Sequence, residues 1–201
     1  MNKTLRSVAL ATVACLATAL TATADAESKA LAYPAALSVF PTLEFPTAEN
    51  DVLGLRLGLL VSEHRDVSML DLNVLAGFTT RREMGIQLSG IYNRVGEAYG
   101  LLQIGGIAND CRGDFIGGQV SALYNNCEGN VYGLSVAAMD MAKTLNGLQV
   151  GLVTRAKSLE GIQIGLVNFA EESEGIQIGL VNVMLDGKYP VFPIINLGFW
   201  R

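Results

Sequence analysis

The sequence predicts an all-β fold, a single β-solenoid of about nine coils with 14–16 residues in each coil. Three nearly identical stretches, "GLQVGLV", "GIQIGLVN" and "GIQIGLVN", begin at Gly147, Gly161 and Gly175. Aliphatic and polar residues alternate within each stretch, which is the period-2 pattern of a β-strand. A short repeat at a fixed period is typical of stacked coils, because each unit buries its inner side together with its neighbours.

The first element is a predicted secretory signal peptide, residues 1–26. Lys3 and Arg6 precede a short apolar run, and Ala-Asp-Ala at its end fits a signal-peptidase site. The run is too short and too rich in Ala and Thr for a membrane-spanning helix, which needs about 20 strongly apolar residues. We therefore expect an exported mature chain that begins at Glu27 and lies in the periplasm, in the outer membrane or on the cell surface. A lipoprotein acylated at Cys15 is a minor alternative.

The charge balance of the mature chain is acidic. Removal of the leader leaves 12 of the 14 basic side chains and 18 of the 19 acidic ones. Nucleic acid is therefore not an expected partner, because phosphate binding needs a basic surface. The sequence also has no Lys/Arg cluster of the kind that holds an anionic membrane, although association with a membrane stays open.

The second element and the last are predicted capping segments, residues 27–51 and residues 186–201. Both depart from the repeat and concentrate Pro with aromatic residues, as in "YPAALSVFPTLEFPTAEN" and "GKYPVFPIINLGFWR". Atypical end segments cover the open ends of a stack of coils, and proline blocks the addition of another strand. We accordingly expect a monomer.

Between the caps, residues 52–185 form the predicted repeat domain of nine units. Each unit has one central polar position, called here the marker, which lies between two aliphatic residues in almost every unit. The markers are Arg56, Asp71, Gln87, Gln103, Gln119, Ser135, Gln149, Gln163 and Gln177. Apolar side chains normally form the buried side of an alternating strand, so we expect the marker to point toward solvent or a second layer. On this assignment Ile164→Asp unfolds several coils, whereas Gln163→Glu is mild.

The glutamine markers form a candidate polar ladder on the predicted outer side. Its members are Gln87, Gln103, Gln119, Gln149, Gln163 and Gln177. An open row of amides beside glycines could lie against a glycan or against a strand of another protein. The alternative is that the amides hydrogen-bond one another along the stack.

The two cysteines of the mature chain distinguish between architectures. Cys111 and Cys127 each follow their marker by eight residues, so they occupy the same position in consecutive units. A solenoid would stack them within the distance that a disulfide accepts, and an exported protein is expected to oxidise them. An antiparallel meander or an outer-membrane β-barrel, the alternative architectures, would put them at opposite rims.

No pattern in the sequence indicates an active site, and we expect no catalytic, metal or cofactor-binding residues. His64 is the only histidine, and no G-x-S-x-G motif marks an activated serine. One histidine and two thiols are too few for a zinc site. Acidic residues recur in the turns, but without the Gly-Gly-x-Gly-x-Asp pattern of calcium-binding solenoids.

The tandem "GLQVGLV…GIQIGLVN…GIQIGLVN", the entry "VLGLRLGLL" and the exit "YPVFPIINLGF" resemble the bacterial surface-repeat proteins built from Gly-Leu-Gln-x-Gly-Leu-x-Asn units. The resemblance implies an exported, often envelope-associated protein without an assigned activity. We expect a non-enzymatic structural or interaction surface whose partner is an unknown protein or glycan of the envelope. An outer-membrane β-barrel and a glycan-binding module are the alternative functions.

Overall fold

The computed structural model describes residues 31–40 and 42–198, and within them the chain forms an all-β solenoid of about ten turns without a helix. The predicted signal peptide, the first residues of the predicted N-terminal cap and residues 199–201 lie outside the described residues. The strands are β1 (Ala32–Phe40), β2 (Leu43–Phe45), β3 (Asp51–Gly58), β4 (Val61–Asn73), β5 (Ala76–Ser89), β6 (Tyr92–Gly105), β7 (Ala108–Cys111), β8 (Phe115–Ser121), β9 (Tyr124–Val136), β10 (Met139–Val150), β11 (Val153–Leu159), β12 (Ile162–Ile164), β13 (Val167–Ser173), β14 (Ile176–Met184) and β15 (Val191–Leu197).

Consecutive coils pair in parallel and in the register that the repeat predicts. Gln149 lies opposite Gln163 in the next coil, and Gln163 lies opposite Gln177 in the one after it. The prediction of a solenoid is therefore confirmed, and the antiparallel meander and the barrel are wrong as architectures. Within the described part of the chain, antiparallel pairing is confined to the two ends, where β2 pairs with β1 and β15 pairs with β14.

Each coil contributes to two sheets. In β10, residues 139–145 pair with β11, whereas residues 148–150 pair with β12. The long strands β4, β5, β6, β9 and β10 thus run along one sheet, bend, and continue along the other. We call the sheet that carries the marker positions the marker sheet, and the other the second sheet.

The stack begins one coil earlier than the sequence predicts. Strand β1 lies in the segment assigned to the N-terminal cap, yet it pairs in parallel with β3 and places Ala36 opposite the marker Arg56. The repeat was not recognisable there because Ala36 lacks the polar marker.

The assignment of inner and outer sides from the sequence is wrong. The glutamine markers are buried, with Gln163 fully so, whereas its aliphatic neighbour Ile164 is 38% exposed. The period-2 alternation is present, but the polar residues of the marker sheet point into the coil and the aliphatic residues point out.

The interior of the stack is divided into a polar side and an apolar side. Markers and asparagines fill the part next to the marker sheet, and small and aliphatic side chains fill the rest. The apolar cluster consists of Val95, Ala98, Cys111, Phe115, Cys127, Val131, Ala142, Leu145, Ala156, Leu159, Ala170 and Met184. A second, smaller cluster lies in the first coils, at Ala36, Val52 and Val67.

A glycine opens most units because the chain bends there against the preceding coil. Gly133 has a φ of 139°, and a Cβ on it would lie 2.1 Å from the carbonyl oxygen of Gly117. Met69 occupies the same column, opposite Gly85, with a φ of 84°. A non-glycine residue in this region is strained, so Met69 is a weak point in the column.

We predict that Met69→Gly stabilises the protein by about 0.5–1 kcal/mol. The substitution relieves the strain of a left-handed backbone, and this gain is partly offset because glycine makes the unfolded chain more flexible. Little packing is lost, because the Met69 side chain is 67% exposed. Urea unfolding measures the change. The matched control is Met84→Gly, at an exposed methionine without a positive φ, which should destabilise by a similar amount. Equal destabilisation by both substitutions would contradict the assignment of strain to Met69.

Candidate functional site

The glutamine markers hydrogen-bond one another along the axis of the stack. The Nε2 atom of each glutamine donates to the Oε1 atom of the glutamine in the preceding coil, at 2.7–3.0 Å. The four bonds are Gln103 to Gln87, Gln119 to Gln103, Gln163 to Gln149 and Gln177 to Gln163. Register pairing at the strand spacing of about 4.8 Å brings each amide within reach of the next.

A second ladder of side-chain amides runs beside the first with the opposite polarity. Asn93 donates to Asn109, which donates to Asn125, and Asn168 donates to Asn182, at 2.7–3.0 Å. The same Nδ2 atoms also donate to backbone carbonyls of the marker sheet, such as Asn93 to Ile104 at 2.8 Å. The asparagines are buried and cross-link neighbouring coils.

Each glutamine ladder ends on a buried carboxylate. Gln87 donates to Asp71 at 2.8 Å, and Gln149 donates to Asp140 at 2.8 Å. The ladder is divided in two at Ser135, the one marker between them that lacks an amide. An acceptor is needed at these ends because an amide N–H left unbonded in the interior would be costly.

The first carboxylate is neutralised by a cation and the second is not. Arg56 binds Asp71 through two hydrogen bonds, and both side chains are fully buried. Asp140 accepts a hydrogen bond from Gln149 on Oδ1, and its buried Oδ2 has no hydrogen-bond partner. Burial raises the pKa of Asp140 to about 6, and the polar side chains around it, Ser135, Gln149 and Asn125, limit the rise.

Two further titratable groups are buried in the first coils. His64 is fully buried and its Nε2 lies 3.2 Å from the carbonyl oxygen of Pro46. Burial, with the charge of Arg56, lowers the pKa of His64 to about 4. Burial, with the charge of Asp71, raises the pKa of Glu83 well above its usual value. Both groups are enclosed in the stack rather than exposed to solvent.

The two cysteines are stacked as the repeat predicts. Cys111 and Cys127 are register partners in consecutive coils, and both are buried with free thiols. Their sulfurs lie 3.3 Å and 3.2 Å from the same acceptor, the carbonyl oxygen of Gly113. A hydrogen bond with Cys127, together with burial, raises the pKa of Cys111.

The outer side of the marker sheet, together with the turn that leads from it to the second sheet in each coil, is apolar along the whole repeat domain. We define the apolar face as the outward side of residues 55–60, 70–75, 86–91, 102–107, 118–123, 134–139, 148–153, 162–167 and 176–181. The only charged residues in these nine segments are Arg56 and Asp71, and both point inward and are fully buried. Its outward side chains are Leu, Ile and Val with a few Ala and one Met, and the last coils expose Leu152 by 55%, Leu166 by 50% and Leu180 by 68%.

A groove runs across the N-terminal part of the apolar face. It has a volume of about 650 Å³ and is lined by Leu37, Leu57, Leu59, Leu72, Val74 and Leu88. The groove exists because no outward side chain lies between its two walls: Gly58 has none, and Asn73 and Ser89 are buried.

The outer side of the second sheet is the charged side of the molecule. Arg155 donates to Glu171 at 2.9 Å, and Arg94 lies 3.2 Å from Asp110. A shallow depression of about 290 Å³ lies on this side, lined among others by Glu128, Lys143 and Lys157. From Arg65 to Asp186 every charged residue except Asp71 lies outside the nine segments of the apolar face. The solenoid therefore has two unlike outer sides, one apolar and one that carries exposed charges.

Comparison of the chain with protein-family models, with curated proteins and with solved structures finds no match. Across residues 31–40 and 42–198 there is no helix long and apolar enough to cross a membrane. In the same part of the chain no group of three or more His, Cys, Asp or Glu side chains could hold a metal ion. The apolar face is the strongest candidate for a functional site, and sequence reasoning missed it because the marker was placed on the wrong side.

The buried ladder reverses the expected effects of two substitutions. Gln163→Glu puts a carboxylate in the interior and removes the donor to Gln149, so we predict a loss of about 3–5 kcal/mol. Ile164→Asp changes an outward side chain, and we predict a folded protein. Far-UV circular dichroism and urea unfolding of both variants measure the difference. A folded Gln163→Glu protein beside an unfolded Ile164→Asp protein would restore the assignment made from the sequence.

The buried carboxylate of Asp140 has no cation beside it, so we predict that the effect of Asp140→Asn on stability depends on pH. The asparagine keeps an oxygen that can accept the hydrogen bond from Gln149 and removes the negative charge. Because the folded-state pKa is raised to about 6, ionisation opposes folding as the pH rises from about 4 to about 6. The variant should therefore match the parent near pH 4 and exceed its stability by about 2–3 kcal/mol above pH 6.

The measurement is the difference in unfolding free energy between variant and parent across pH 4–8. Taking the difference cancels the contribution of His64, whose lowered pKa acts in the opposite direction. Glu128→Gln, at an exposed carboxylate of the second sheet, is the control and should show no such trend. A difference that does not change with pH would contradict the burial of an ionised Asp140.

Proposed function

We propose that this chain is an exported, non-enzymatic repeat protein of the bacterial envelope that acts as an interaction surface through its apolar face. The observation that carries the proposal is the absence of any outward charge from the nine segments of that face. Monomeric soluble proteins rarely expose contiguous apolar patches larger than a few hundred Å², and larger ones usually mark interaction sites.

The size of the face supports an interaction role. Nine coils at a spacing of about 4.8 Å and six residues at a rise of about 3.3 Å give roughly 40 by 20 Å, or about 800 Å², for the marker sheet and the adjoining turn together. This exceeds the patches of about 300–600 Å² that are the largest on typical monomers. A protein that left such a surface uncovered in water would be expected to aggregate.

Export is supported by the N-terminal sequence. Lys3 and Arg6, the following apolar run and the Ala-Asp-Ala site have the organisation of a secretory leader. The likeness of the tandem units to bacterial surface-repeat proteins supports a place at the envelope, which covers the periplasm, the outer membrane and the cell surface.

A non-enzymatic role is supported by the placement of the polar side chains in the stack. The amides of the two ladders, together with His64 and Glu83, are buried, where a substrate would not reach them. The glycan-binding alternative needed an open row of glutamine amides. Because Gln87, Gln103 and the other markers point inward, that row is not available to a glycan.

We further propose that Cys111 and Cys127 form a disulfide once the protein is exported. The two thiols are adjacent and in register, as a cross-link requires. Each thiol would lose one proton and one electron, and a thiol-oxidising protein of the exporting compartment would accept the two electrons. Closing a loop of one coil would stabilise the fold by about 3 kcal/mol on the loop-entropy account.

A single experiment tests export and oxidation together. The full chain is expressed in a bacterium with an outer membrane, purified from the envelope fractions, and mapped by mass spectrometry without reduction. We predict a mature chain that begins at Glu27 and a peptide in which Cys111 is joined to Cys127. A Cys127→Ala variant is the control and should show Cys111 as a free thiol.

The two parts of this proposal fail separately. An unprocessed chain that begins at Met1 and stays in the cytoplasm would contradict export and with it the proposed function. A processed chain whose two cysteines both react with an alkylating reagent would contradict the disulfide alone.

A further inference from the structure

We propose that the apolar face is covered by the same face of a second copy of this chain, so that the protein is a face-to-face dimer. The inference rests on the proposed function, since it names the partner of the same surface. It departs from the expectation of a monomer, which assumed that the aliphatic residues of the marker sheet were buried inside the coil.

The area of the face matches what a stable dimer needs. A standard protein interface buries about 800 Å² on each partner, and the apolar face offers about that much when the partner covers both the marker sheet and the adjoining turn. Obligate homodimers also have more apolar interfaces than transient complexes, because their subunits are not exposed alone. The outward side chains of the face are almost entirely aliphatic, which fits this class.

The spacing of the side chains favours a second solenoid over a partner of another shape. Outward residues of consecutive coils stand in columns, such as Val150, Ile164 and Ile178 in the marker sheet, with the spacing of about 4.8 Å between strands. Two faces with the same spacing can interdigitate at the sheet separation of about 10 Å found in β-sandwiches. A two-fold axis would make each face the complement of the other.

The groove in the first coils provides a place for such interdigitation. Its walls are two columns of leucine and valine, with Leu57 and Leu72 on one side and Leu59 and Val74 on the other. A column of aliphatic side chains from the partner would fill the groove, which would otherwise hold water against an apolar lining.

The charges of the molecule are compatible with a dimer and less so with a lipid surface. Each mature chain has six more acidic than basic side chains, and its exposed charges lie outside the apolar face. In a face-to-face dimer the charged outer sides point away from each other and are separated by more than the screening length of about 8 Å in physiological salt.

A membrane, by contrast, would meet carboxylates at the border of the face. Exposed Glu160 and Glu174 precede the outward residues Ile162 and Ile176 by two positions. None of the nine segments supplies an outward Lys or Arg that could bind lipid phosphate. The carboxylates at the border of the apolar face would repel an anionic bilayer, so a second copy of the chain is the better partner for this face.

The test measures the mass of the mature chain, residues 27–201, in detergent-free buffer by sedimentation equilibrium over a range of concentrations. We expect twice the mass of one chain. The triple variant Leu152→Thr, Leu166→Thr and Leu180→Thr replaces three exposed leucines of the apolar face by smaller polar residues and so removes apolar contacts from both copies. We expect its dissociation constant to rise by about 100-fold or more.

The matched control is the triple variant Lys143→Thr, Lys157→Thr and Glu172→Thr, which changes exposed residues of the second sheet in neighbouring coils. It should remain dimeric. Circular dichroism of both variants verifies that the fold is retained, and a benzophenone cross-linker placed at Leu166, but not at Lys157, should join two chains.

The contrary results are distinct from failure of the proposed function. A parent protein that is monomeric at tens of micromolar and floats with neutral phosphatidylcholine vesicles would overturn the dimer and leave a membrane as the occupant of the same face. A dimer that survives the leucine substitutions but dissociates in the control variant would overturn the use of the apolar face altogether.

Discussion

The structure depends on the hydrogen bonds between glutamine side chains stacked along the inside of the solenoid. An amide has a donor and an acceptor, so identical amides in register satisfy each other from coil to coil without water. The bonds of 2.7–3.0 Å from Gln103 to Gln87 and from Gln119 to Gln103 show this arrangement. Because side chains alternate along a strand, placing the amide inside forces its two aliphatic neighbours to the outside. The apolar face is therefore a direct consequence of the polar ladder.

Much of the architecture could be predicted from the sequence, because the repeat determines which residues stack. The register of Gln149, Gln163 and Gln177 and the stacking of Cys111 on Cys127 both follow from counting residues along the units. The first coil was missed because Ala36 has no polar side chain to mark it. Predicting these features requires only the length of the repeat, which can be read directly from the amino-acid sequence.

The side of the sheet that faces inward could not be predicted by the same means. Alternation distinguishes two faces of a strand but does not say which is buried, and apolar residues are inside in most proteins. One signal did point to the correct answer. The markers Arg56 and Asp71 are opposite charges at the same position of adjacent coils, and they form a buried ion pair that ends the glutamine ladder. Such complementarity along a column indicates that its members bind one another, as they do in the interior.

The central claim is that the glutamine amides are inside the coil, and side-chain hydrogen exchange tests it most directly. Nuclear magnetic resonance resolves the carboxamide protons of Gln87, Gln103, Gln119, Gln149, Gln163 and Gln177, and their exchange with deuterated water can be followed in the native protein. If the amides form a buried ladder, these protons should exchange only when the stack opens, over hours and about as slowly as the backbone amides of β9 and β10. Exchange as fast as that of an exposed glutamine in a peptide would contradict the ladder.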